Sequence, residues 1–123
     1  MTIDKRATRK RVDYFFKHEL IYFLLRYGYA VSDLVDNKIK TKPVNEIALI
    51  VLAINSCKPP YKELIVKHYL EEKKLQQVAN EMHLSHTTVT EYRLNALNQF
   101  ATNLVALQEF NHVEPVLDLR IKY

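Results

Sequence analysis

The 123-residue sequence predicts an all-α fold, a helical bundle with a short extended tail, and three features carry that reading. Gly28 is the only glycine, so the Asn-Gly, Asp-Gly and Gly-Gly turns that favour tight β-hairpins are missing. Apolar residues recur at helical spacing through most of the chain. With 48% hydrophobic and 26% charged residues, the composition is that of a globular chain rather than a disordered one. The lone glycine also excludes phosphate-binding loops and dinucleotide fingerprints, which need several glycines to bring backbone amides onto phosphate. One domain, residues 1–123, is expected for this length.

Residues 1–11 form a basic arm in which Lys5, Arg6, Arg9, Lys10 and Arg11 oppose only Asp4. Their excess equals the net charge of +4 carried by the whole chain. Either the arm follows nucleic-acid phosphate or it is a solvated end. It lacks the apolar stretch of a signal peptide, and neither Leu20 to Leu25 nor the longest apolar run, Ile47 to Ile54, approaches the ~20 residues that span a bilayer. No membrane partner is expected. A single cysteine, Cys57, fits a reducing, cytoplasmic setting.

Residues 12–57 read as an N-terminal helical support. From Val12 to Tyr27 the positions Phe16, Leu20, Phe23, Leu24 and Tyr27 share one helical face, while Phe15, Ile21, Tyr22 and Leu25 make much of the remaining circumference apolar. Gly28 stands where a left-handed C-terminal cap belongs. Asp36 to Pro43, with Lys38, Lys40 and Lys42, reads as an exposed connector. A second helix is expected to begin near Pro43 and run through Val44, Ile47, Ala48, Val51, Leu52 and Ile54. Pro59 and Pro60 start a third, with Tyr61, Leu64, Ile65, His68 and Tyr69 on one face.

Residues 75–100 read LQQVANEMHLSHTTVTEYRLNALNQF. Val78, Ala79 and Met82 are the inner face of a short helix, Leu84 anchors a sharp turn, and Ser85 is an N-cap for the next helix. That helix buries Val89, Tyr92 and Ala96, and small Ala79 permits a steep, close crossing. Thr87, Thr90, Glu91 and Leu94 lie away from the buried side, with His86 and Thr88 at the amino end.

Residues 59–100 therefore resemble the region 4 helix-turn-helix of sigma factors, with Val78-Ala79, Met82, Leu84-Ser85, Thr88-Val89 and Ala96-Leu97 at matching positions. In overall plan the chain also resembles phage late-transcription regulators of the ArpU and RinA kind. The resemblance departs at three places. His83 and Glu72 stand where the family usually has glycine, Lys74 replaces a small N-cap, and residues 75–100 carry Arg93 against Glu81 and Glu91. The resemblance implies a sequence-specific DNA-binding transcription regulator, an activator at a promoter with no cofactor or small-molecule substrate. Its unit would cover residues 59–111, followed by a tail at 112–123. Base edges of double-stranded DNA would meet His86, Thr87, Thr88, Thr90, Glu91 and Leu94. Phosphate would meet Gln76, Gln77, Ser85, Arg93, Lys73, Lys74 and the arm residues Lys5, Arg6, Arg9, Lys10 and Arg11. RNA polymerase is an implied partner. Two other readings are a terminase small-subunit-like packaging protein and an adaptor that binds polymerase or another protein without touching DNA.

The remaining constellations point to no chemistry. Glu81, His83 and His86 lack the cysteine or second histidine pair of a structural metal site, and Cys57 lacks an activating base, so no enzyme is expected. Leu97, Phe100, Leu104 and Leu107 form a heptad-like seam that either pairs two subunits in a homodimer or folds onto the first helix of the same chain. Leu117, Leu119, Ile121 and Tyr123 alternate with Asp118, Arg120 and Lys122 in a strand pattern. It would pair with a copy, dock on another sheet edge, or fray; a frayed end is the favoured expectation.

Overall fold

The structure, a computed structural model, describes residues 2–123. Its regular elements are helices, and an isolated antiparallel bridge joins Ile3 to Lys122. The all-α expectation holds. The head corrects the first boundary: residues 5–11 are no free arm, because α1 (Lys5–Tyr14) starts there. Asp4 caps it by accepting from the Ala7 amide at 3.1 Å, while Thr8 and Val12 turn inward one helical turn apart.

The chain continues through a π-helical turn (Phe15–Glu19) into α2 (Leu20–Arg26). The Leu20 amide bonds to the Phe15 carbonyl, a five-residue closure that puts the adjacent rings of Phe15 and Phe16 together in the core. Gly28 ends α2 at φ +76°, with its amide and that of Tyr29 bonded to the carbonyls of Leu25 and Leu24. A short helix the pattern did not signal, α3 (Val31–Val35), follows. The second long apolar segment starts later than expected. Pro43 precedes α4 (Glu46–Asn55), because Asn45, unlike Lys42, offers a side-chain oxygen to the open first turn and accepts from the Ala48 amide at 2.8 Å. Pro59 does open its helix: α5 (Pro59–Leu64) runs into a second π-helical turn (Ile65–Leu70). Next come α6 (Leu75–Glu81) and α7 (His86–Phe110), the last about 37 Å long at ~1.5 Å per residue.

The carboxyl-terminal part of α7 is the spine of the main core. Leu97, Phe100, Ala101 and Leu104 are buried against Phe15, Phe16, Leu20 and Leu24 and against α4. The Phe16 ring lies 4.7 Å from Phe100 and 5.0 Å from Tyr69. The Leu97–Leu107 seam is thus used inside the chain, which removes it as a subunit interface. Along this contact the residue numbers rise together. Asp13 meets Arg93, Phe16 meets Phe100, and Phe23 lines one cavity with Leu104 and Gln108. The first helical segment and α7 therefore run parallel, and the amino ends of α1 and α7 lie at the same end of the molecule. Lys5 is ~12 Å of helix before Asp13, and His86 is ~10 Å before Arg93.

The tail is not frayed. After α7 the chain turns back and is clamped by buried Gln108, whose Nε2 donates to the Leu117 carbonyl and whose Oε1 accepts from the Leu117 amide, both at 2.8 Å. Leu119 is fully buried, the Ile121 amide donates to Thr8 Oγ1 at 2.8 Å, and the Asp4 amide donates to the Ile121 carbonyl at 2.7 Å. The alternating pattern marks an extended segment whose partner is the head of its own chain. Gln108→Ala should cost ~1 to 3 kcal/mol in urea unfolding, since it leaves the amide and carbonyl of half-buried Leu117 without their partner. Faster amide exchange at Leu117 would accompany that loss, and unchanged exchange would show that the clamp does not hold the tail.

Candidate nucleic-acid interface

The second, smaller core belongs to α5, α6 and the first turns of α7. Leu64, Val78, Ala79 and Val89 are fully buried in it, edged by Leu75, Met82, Leu84 and Tyr92. Tyr61 and Tyr92 close one side edge to face at 5.5 Å. The turn between α6 and α7 depends on His83, which sits at φ +57° where the sequence lacks the usual glycine. The His83 amide reaches the Asn80 carbonyl at 3.3 Å and the Leu84 amide reaches that of Ala79 at 2.9 Å, which satisfies the open end of α6. Glu72, before α6, is likewise left-handed at φ +56°. Lys74 stands at the N-cap of α6 and provides no capping bond.

Ser85 fixes the start of α7. Its Oγ accepts from the Thr88 amide at 3.1 Å and donates to Thr88 Oγ1 at 2.9 Å, while Thr90 Oγ1 donates back to the His86 carbonyl at 2.8 Å. Two of the threonine hydroxyls thus have local partners. His86, Thr87 and Glu91 are exposed, Thr88, Thr90 and Leu94 are half-buried, and Gln76 and Gln77 are exposed on neighbouring α6. Gln76 Nε2 bonds Asn80 Oδ1 at 3.1 Å. The exposed side chains offer amide, hydroxyl, imidazole and carboxylate groups on two adjoining helices.

Two residues assigned to phosphate have partners inside the chain. Arg93 donates from its Nε to the Tyr69 hydroxyl at 3.1 Å and from a terminal nitrogen to Asp13 Oδ1 at 3.0 Å, and Tyr69 donates to the same carboxylate oxygen at 2.6 Å. Burial raises the Asp13 pKa, but hydrogen bonds from Tyr69, Lys17 and Arg93 outweigh it and hold the carboxyl below its usual value. Burial and the bond to Asp13 push the Tyr69 phenol the other way. This triad ties the first helix to α7; sequence reading missed it because its members are 56 and 80 residues from Asp13. Lys73 is bound to Glu81 at 2.8 Å and to Glu71 at 3.1 Å, and Lys67 also meets Glu81 at 2.8 Å. Lys74 is exposed and makes no ion pair among the described residues.

The positive field at this end comes from α1. Lys5, Arg6 and Lys10 are exposed and Arg9 is half-exposed, with no ion pair for any of them among the described residues, whereas Arg11 is held by Glu19. Lys122, brought beside Ile3 by the bridge, is held by Asp118 at 3.5 Å. Comparison with protein-family models, with curated proteins and with solved structures finds no match. Cys57, by contrast, is buried, its thiol raised to about 11 by desolvation, with Asn103 at 3.6 Å. No helix of the described residues is long and apolar enough to cross a membrane.

Hydrogen bonds from Lys67 and Lys73 hold Glu81 at about 2, below its ordinary 4.5. A depressed carboxylate adds stability that is fully present above the unfolded value and disappears as pH falls through the folded one. The urea midpoint should thus drop between pH 4.5 and about 2, and Glu81→Gln should flatten part of that drop. An identical pH profile for the variant would remove Glu81 from the acid response.

Proposed function

We propose that this chain is a sequence-specific DNA-binding regulator of transcription that inserts the amino end of α7 into the major groove and performs no catalysis. One observation carries the reading. The exposed polar start of α7, held by Ser85 and the His83 turn, lies at the same end of the molecule as the unpaired cations of α1. A reading surface beside a phosphate-attracting flank is the arrangement that specific binding needs. His86, Thr87 and Glu91 are the base-reading residues, with Thr88, Thr90 and Leu94 at their edge. Lys5, Arg6, Arg9, Lys10, Lys74, Gln76 and Gln77 meet the backbone. Arg93 and Lys73 position helices instead. The likeness of residues 59–100 to sigma region 4 supports action at a promoter beside RNA polymerase, and the wider likeness to phage late regulators supports activation.

Selection of genomic fragments by the purified protein tests this. A best fragment should be preferred over its scrambled control by a factor of ~10³ or more. An adaptor that binds only protein would show no salt-dependent affinity for DNA, and a packaging protein would form a ring of many subunits. Thr87→Ala should weaken the specific site by ~1 to 3 kcal/mol and leave random DNA unaffected. Equal loss on both would take Thr87 out of base reading. Replacing Lys5, Arg6, Arg9 and Lys10 together by alanine should reduce the salt slope on every sequence, by up to ~0.9 for each phosphate no longer neutralised. An unchanged slope would show that α1 stays clear of the backbone.

A further inference from the structure

The first helical segment buries one side against α7 and leaves the other apolar. Tyr14, Ile21, Tyr22 and Leu25 are 55%, 49%, 67% and 62% exposed. The rings of Tyr14 and His18 touch at 4.7 Å, so both lie on this outer side across the π-helical turn. Tyr14, His18, Ile21 and Leu25 follow one another at spacings of four, three and four residues, the seam pattern by which one helix packs along another. Together these side chains offer roughly 400 Å² of mostly apolar surface, within the range where a patch on a monomer marks an interaction site. That is about half of the ~800 Å² that one partner gives to a standard interface, and the stems of Lys17 and Arg26 beside it extend the area.

The charges beside the stripe are cancelled within the chain. Arg11 is held by Glu19, Lys17 by Asp13 at 3.2 Å and Arg26 by Glu46 at 3.0 Å. Phosphate or an anionic membrane would find no free cation between Arg11 and Arg26, while an identical surface brings no net charge against it. We infer that two copies of this chain pair through the Tyr14–Leu25 stripe, first helical segment against first helical segment, in parallel.

The surface rests on exposure and charge; the parallel orientation rests on the DNA reading. A two-fold axis along the helices sends both α7 amino ends to one side, whereas antiparallel packing sends them to opposite sides. The order α7, α1, partner α1, partner α7 spans three helix contacts of ~8 to 10 Å. The two reading helices then stand ~24 to 30 Å apart, approaching the ~34 Å of one DNA turn between half-sites. Lys10, one turn beyond Tyr14, stays free at the DNA end.

Light scattering on the full chain without DNA tests the surface, and disulfide capture tests the orientation. The wild type should have a dimer mass at concentrations on the order of 100 μM, and a Tyr22→Lys, Leu25→Lys double variant should be a monomer with unchanged helical circular dichroism. Leu25→Cys should form a disulfide-linked dimer under mild oxidation, which the wild type, with Cys57 buried, should not. A monomeric wild type, or a dimer indifferent to the double lysine variant, would overturn the pairing. A stripe-dependent dimer that Leu25→Cys fails to link would overturn the parallel arrangement. Each readout is taken without DNA, so loss of the dimer and loss of DNA binding are separately visible.

Discussion

One helix does two jobs in this molecule, and the rest of the structure follows from that constraint. From Ala96 onward α7 is locked into the core by Ala101 and by Leu97, Phe100 and Leu104, these three large side chains contributing ~1.5 to 3 kcal/mol each on burial. The first turns of the same rod are free to present His86 and Thr87. Rotation of α7 by one residue would move Phe100 out of its aromatic neighbourhood and Val89 out of the small core. The exposed face is therefore set by Val89 in the small core together with packing ten or more residues away, and the Asp13–Tyr69–Arg93 triad fixes the junction between the two regions.

Local signals were legible in the sequence, and long-range ones were not. Ser85 as a cap, Gly28 as a left-handed stop and His83 at the glycine position of the turn are each decided by one residue and its immediate neighbours, and each is found as read. The all-helical class was legible for the same reason. Asp4 and Asn45 are equally local caps, but a basic composition hid the first and a nearby proline the second. The tail shows the other kind of miss. Its alternation was plain, yet its partners, Ile3 and Thr8, are more than a hundred residues away, and nothing in a single sequence names them. Arg93 has the same lesson for the candidate site: a cation there suggests a phosphate contact until its carboxylate partner, Asp13, is seen.

Charge is partitioned by position. Lys67 and Lys73 beside the small core and Arg11, Lys17 and Arg26 along the first helical segment meet carboxylates of the same chain and act as fasteners, while Lys74 and the cations in the first turns of α1 have no ion pair among the described residues. An overall charge of +4 thus understates how uneven the surface is. In an exposed pair the attraction is worth little to stability; its effect here is on which faces are electrically silent and which are not.

The parallel packing of the first helical segment on α7 also has a kinetic side. Asp13 and Arg93 are separated by 80 residues, so Phe15, Phe16, Leu20 and Leu24 have no α7 to cover them until most of the chain has been made. At ~5 to 20 residues per second, that interval on the ribosome is ~4 to 16 seconds. For that time the inner side of an amphipathic segment stands without its α7 partner. The contact that buries these side chains is therefore among the last to become available as the chain is made.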